Sequence, residues 1–130
     1  MRTLAFKART RPTFFDLYRI KQPVTAVVYF GHRVSGVFIA LLVPLLIYVL
    51  QLSLANPEDW QRAAAIVQNG WARALAVLLV WAFAHHLFAG VRHLLFDLHA
   101  GAELRASRAS AWAVLAAEAC VLLLALVAVS

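Results

Sequence analysis

The chain has 130 residues, of which 64% are apolar and 14% charged, with a mean hydropathy of +0.79. Soluble domains carry about 25% charged residues, so this chain lacks the polar surface of a water-facing globule but has apolar residues for several membrane spans of about 20 residues each. The formal net charge of +6 does not indicate nucleic acid, because six of the twelve basic residues (Arg2, Lys7, Arg9, Arg11, Arg19 and Lys21) precede the first apolar run and no basic stripe continues beyond it.

Residues 1–22 read as a basic, irregular cytoplasmic segment drawn to anionic lipid, with Arg11-Pro12 as a breaker. The mixed polar sequence after the basic start, and the lack of a well-placed small-residue cleavage site, predict no cleavable signal. Pro23 suits the first turn of a helix, where its missing N–H does no harm. From Pro23 to Leu54 only His32 and Arg33 bear a charge or an imidazole. A helix over about 23–54 would be about 48 Å long, against a hydrocarbon core of ~30 Å. It therefore protrudes or tilts, with the lipid span near Ser35–Leu54 and His32 and Arg33 at the cytoplasmic boundary. Pro44 is a kink site of the kind membrane helices tolerate.

Ala55–Trp60 reads as a polar turn, and an amphipathic stretch, Gln61–Gly70, leads into a second helix over about 71–96. That helix carries His85, His86, Arg92 and His93. A second polar loop, Asp97–Arg108, holds His99, Gly101 and Glu103. A third helix, about 109–129, is apolar except for Glu118, and nothing in the sequence names a partner for that carboxyl. The single cysteine, Cys120, excludes an intrachain disulfide and a CxxCH haem attachment, and reads as a small membrane-buried side chain. Arg105 and Arg108 join the basic N-terminal flank on one side, while Glu58 and Asp59 offset Arg62 on the other. The positive-inside rule then places the N-terminus and second loop in the cytoplasm and the C-terminus outside.

Titratable groups within a span are expensive and mark function. His86, Gly90, His93 and Asp97 fall at i, i+4, i+7 and i+11 on one face of the second helix. A glycine between two histidines leaves room for a flat macrocycle, and imidazole is a good axial ligand for haem iron. By helix rise His86 lies about 15 Å below the boundary at Phe96, near mid-membrane. The plainer reading is a histidine bonded to a neighbouring helix, and spacing alone leaves both open. His85 competes for the ligand role from a stripe with Ala89, Arg92 and Phe96. Arg33 can bind a carboxylate, polarise a quinone carbonyl, or snorkel to lipid phosphate; Arg92 and His93 lie near the same boundary. Asp97 can orient the His93 imidazole or be an ordinary loop acid.

Arg11-Pro12, then Pro23, then His32-Arg33-Val34-Ser35-Gly36, resembles the first signature of the cytochrome b556 family of succinate dehydrogenase membrane anchors. The run from His86 to Asp97, HLFAGVRHLLFD, is similar to that family's second signature. The resemblance extends from about residue 9 to the third helix. It implies an all-α membrane protein whose three transmembrane helices form half of a heterodimeric anchor bundle. It implies His86 as a haem b axial ligand, the other ligand coming from the companion anchor subunit, with His32, Arg33 and His93 near the haem and its propionates. It also implies a ubiquinone pocket bordered by Arg33, between both anchors and the iron–sulfur subunit, which works with a flavoprotein subunit. Bacterial relatives often have a serine where Tyr29 stands, so Tyr29 would offer the quinone a displaced hydroxyl, with Phe30 as a wall. The chain would catalyse nothing alone and would sit in the bacterial inner membrane. The alternatives are a haem-free or menaquinone-linked fumarate-reductase-type anchor, a transporter subunit with a histidine proton relay, and an intrachain haem held by His32 and His86. The last is disfavoured because His32 reads as too shallow.

Overall fold

A computed structural model describes residues 21–129. Arg2, Lys7, Arg9, Arg11 and Arg19, and the Arg11-Pro12 breaker, lie outside the described residues. Four helices follow in order: α1 (Val24–Ala55), α2 (Pro57–Gln68), α3 (Gly70–Asp97) and α4 (Leu104–Val129). α1, α3 and α4 are each long and apolar enough to cross a membrane. α3 is central, packing along both α1 and α4, while α2 lies against α1.

Helix ends follow local chemistry, and there the sequence reading is corrected. Pro23 is not inside the first turn of α1 but is its N-cap, with ψ at 148°. The expected polar turn at 55–60 is almost entirely helical. Asn56 caps α2 by accepting from the Asp59 N–H at 2.9 Å, and Pro57 occupies the first turn. Glu58 and Asp59 then sit at the positive end of the helix dipole, with Arg62 bonded to Asp59 at 3.1 Å. The residues that read as a turn are a helix start signal. Replacing Asn56 by Ala is expected to destabilise α2 by about 1 kcal/mol, seen as faster amide exchange in α2 alone.

The second loop is shorter than expected because α4 begins early, and α3 ends in a closed turn. His99 takes a left-handed conformation (φ 60°), its N–H bonds the Phe96 carbonyl at 2.8 Å, and the Ala100 N–H reaches back to Leu95 at 2.9 Å. These paired bonds satisfy carbonyls that a helix end would otherwise leave open. α4 then starts at Leu104, so Arg105, Ser107 and Arg108 are helical rather than in the loop.

The interior is small and polar, and the exterior large and apolar. Ala82, Ala84, Ala89 and Ala111 are buried, together with Ser35, His85, Arg92 and Glu118. Leu41 and Leu124, at 72% and 70% exposure, face outward. In water this distribution would be strongly unfavourable. In hydrocarbon it is the expected one, since lipid solvates leucine and small residues let helices approach closely.

Candidate functional site

Two neighbouring histidines of α3 point into different seams, because consecutive helical residues diverge by about 100°. His85 enters the junction of all three spans. Its Nδ1 pairs with the Glu118 carboxyl of α4, and its Nε2 lies 3.3 Å from the Val28 carbonyl oxygen of α1. Glu118 therefore has a partner within this chain. A mid-span acid with no named partner, and a histidine displaced from its neighbour's face, were the two sequence signals that could have been joined. Arg92, one turn beyond Ala89 on the same stripe, also turns towards α4. It donates to the Ser110 hydroxyl at 3.0 Å and the Ser107 hydroxyl at 3.0 Å, and its guanidinium covers the Phe96 ring. Arg92 is buried between helices rather than reaching for the lipid surface.

His86 faces α1. Its Nδ1 is 3.1 Å from the His32 carbonyl oxygen, which can only accept, so Nδ1 carries the hydrogen and donates. The buried Ser35 hydroxyl bonds the same carbonyl at 3.0 Å and lies 3.4 Å from Nδ1. With Nδ1 as the donor, a neutral imidazole keeps its lone pair on Nε2, which has no hydrogen-bond partner among the described residues. Gly36 makes this approach possible: a Cβ there would stand 2.9 Å from His86 Cε1.

The His32 ring stacks on the His86 ring, with centroids 4.2 Å apart and planes 13° from parallel. His32 is therefore as deep as His86, contrary to the depth expected from a span beginning at Ser35. The two imidazoles face each other plane to plane, an arrangement that cannot place both nitrogens on opposite sides of one metal. The space left by Gly90 is also not open, since the His32 Nε2 lies 3.3 Å from where its Cβ would be.

His93 completes the cluster edge-on to His32 at 4.9 Å and to Tyr29 at 5.4 Å. Its Nε2 is buried without a hydrogen-bond partner among the described residues, and Asp97 does not bond it. The Arg33 guanidinium lies over the Tyr29 ring at 4.7 Å, one turn along α1. His32, His86, His93, Tyr29 and Arg33 thus form one outward-opening group. Phe30 is beside it in sequence but 67% exposed, with no ring contact among the described residues. Nor do the described residues include three or more His, Cys, Asp or Glu side chains arranged to hold a metal ion unaided.

A three-span bundle with a polar, histidine-rich interior and an apolar exterior defines a multi-pass membrane protein. Residues 7–125 match the succinate dehydrogenase/fumarate reductase transmembrane subunit family, and the chain belongs to that family. It is similar to the succinate dehydrogenase cytochrome b556 subunit of Coxiella burnetii, at 34% identity over 80% of this chain and 84% of the relative. The subunits of the same name from Rickettsia typhi (29% identity, covering 80% of this chain and 81% of the relative) and Paracoccus denitrificans (25%, covering 90% of each) are also similar. The chain is accordingly a non-catalytic membrane-anchor subunit of a respiratory complex, all-α with three spans.

Proposed function

We propose that this chain is the haem-sharing anchor of a bacterial succinate:ubiquinone oxidoreductase, with His86 as one axial ligand of a haem b and a second anchor subunit supplying the other. The names of the relatives, all succinate dehydrogenase cytochrome b556 subunits, favour this over a haem-free or fumarate-reductase-type anchor. The observation that carries it is the His86 Nδ1 hydrogen bond to the His32 carbonyl at 3.1 Å. Histidines that bind metal characteristically donate their other ring N–H to a carbonyl or carboxylate, which fixes the tautomer and raises the basicity of the coordinating nitrogen. Bound at His86, the haem would supply a one-electron redox centre beside the quinone.

The surrounding side chains fit the same reading. The unpartnered His93 Nε2, with His32 and Arg33, would meet the haem's propionate edge, where a cation and ring N–H groups satisfy carboxylates. Arg33 and the Tyr29 hydroxyl would donate to a ubiquinone carbonyl oxygen and stabilise the charge that develops on reduction. Phe30, exposed beside them, would wall the pocket from lipid. The open side of the cluster would be closed by the second anchor and the iron–sulfur subunit, through which electrons from the flavoprotein subunit would arrive. The basic N-terminal flank supports a cytoplasmic N-terminus in the inner membrane, with those two soluble subunits docked on that side.

The test is a reduced-minus-oxidised spectrum of the membrane complex, intact and with His86→Ala. A b-type band lost or displaced in the variant is the expected result. An unchanged band would move the ligand elsewhere and sink the reading.

A further inference from the structure

The His85–Glu118 pair does not belong to the cluster around His86, yet it joins all three spans. Val28, whose carbonyl faces His85 Nε2, is fully buried there, and Glu118 is 8% exposed. The proton arrangement follows from the acceptor. The Val28 carbonyl can only accept, so Nε2 carries a hydrogen. Nδ1 and the carboxyl oxygen can approach each other only with a proton between them. Wherever that proton rests, as imidazolium and carboxylate or as imidazole and carboxylic acid, the pair is net neutral. A hydrocarbon interior tolerates such a pair and disfavours either charge alone.

The geometry around α1 is repeated one turn apart. His85 reaches the carbonyl of Val28 and His86 reaches that of His32, four residues further along α1. A glycine opens each approach. A Cβ on Gly31 would stand 2.5 Å from His85 Nε2, and one on Gly36 would stand 2.9 Å from His86 Cε1. α3 is therefore registered on α1 by two adjacent imidazoles. Only one of the two, His85, is also held from α4, through Glu118. A helix anchored on one side can rotate about its axis, and a rotation of α3 would swing His86 off the His32 carbonyl. Arg92 ties α3 to Ser107 and Ser110 of α4 two turns further along, and the anchor through Glu118, about 100° round the helix from His86, opposes that rotation at the level of His86 itself.

We infer that Glu118 is a positioning residue for His86: by holding His85 against α4 and the Val28 carbonyl, it fixes the rotation of α3 and hence the plane of the His86 imidazole. Glu118 touches neither His86 nor the histidine cluster, so its effect passes through the backbone between two consecutive residues. This inference rests on His86 being a haem ligand. Ligand-plane orientation sets the low-spin ferric signal in electron paramagnetic resonance and contributes to the midpoint potential, whereas a merely structural contact would alter only yield.

The experiment compares both readouts in the intact membrane complex for the wild type, E118Q, H85L/E118L and H86A. The amide of E118Q can donate to His85 Nδ1, so this variant is expected to keep the wild-type signal and potential. H85L/E118L removes both polar groups, leaving no buried orphan to block folding. It is expected to retain a haem band, with shifted ferric g-values and a shifted midpoint potential. A wild-type signal and potential in H85L/E118L would overturn the inference, as would an E118Q shift as large as that of the double variant. A band that survives in H86A sinks instead the ligand reading underneath. A band lost in H86A but unshifted in H85L/E118L sinks the positioning role alone.

Discussion

Glu118→Ala is expected to destabilise the assembled subunit by about 2 kcal/mol, and more than the double replacement H85L/E118L does. The single change leaves His85 Nδ1 buried and unpaired beside an alanine-sized gap, and an orphaned buried polar group costs roughly 1–3 kcal/mol. The double change leaves no orphan and replaces both side chains by leucine, which the bundle interior and lipid both accept. His85→Leu alone should resemble Glu118→Ala, because it strands the carboxyl instead. With Glu118→Leu as the matching single change, the coupling energy from the double-mutant cycle should then be at least about 2 kcal/mol, above the ~0.6 kcal/mol average for interhelical hydrogen bonds in membranes. The measurement is the fraction of detergent-solubilised complex that stays assembled after graded heating. Additive single and double variants would show that the pair contributes packing and nothing polar.

The three spans were legible because hydropathy and the placement of basic residues act over windows of about 20 residues. The ends were less so. Asn56-Pro57-Glu58-Asp59 contains turn formers and helix starters at once, and only the Asn56 bond to the Asp59 N–H decides between them. The second loop looked long because Arg105 and Arg108 are charged, but lysine and arginine are good helix formers, and a helix can carry charge once it leaves the lipid.

The site was half legible. Periodicity placed His86 and His93 on one face of α3, where they are found. It could not give the depth of His32, because a protruding helix of 32 residues has no marked boundary. The stack of His32 on His86 depends on how α1 slides along α3, and that register is set by the glycines and the two carbonyl contacts. The pairing of Glu118 with His85 links residues 33 apart on different helices, so no local pattern reports it. Counting would have helped: in lipid each lone polar side chain needs a partner, and His85 and Glu118 were the two left over.

Gly31→Val is expected to be the most damaging single glycine replacement in the chain, lowering the yield of assembled subunit by several-fold relative to Gly70→Ala. The added Cβ of Gly31 would stand 2.5 Å from His85 Nε2 and 2.9 Å from Cε1, inside any real contact distance. Whether such a clash is tolerated depends on whether the neighbour can move. The His85 ring is held at one nitrogen by Glu118 and at the other by the Val28 carbonyl, so α1 must retreat instead. Overpacking of this kind costs about 1–3 kcal/mol, and a retreat of α1 would also loosen the His86 bond to the His32 carbonyl. Gly36→Ala should act more locally. Its Cβ meets only the edge of His86, 2.9 Å from Cε1, so a shifted b-type band with near-normal assembly is expected. Gly70 has nothing within 4 Å of its Cβ position and no left-handed backbone, so Gly70→Ala should be neutral or stabilise by about 0.4–1 kcal/mol. Assembly scored by co-purification of the complex, with the band position recorded alongside, separates the three cases. If Gly31→Val assembled as well as Gly70→Ala, the close approach of α1 and α3 at His85 would not be the contact that sets their register.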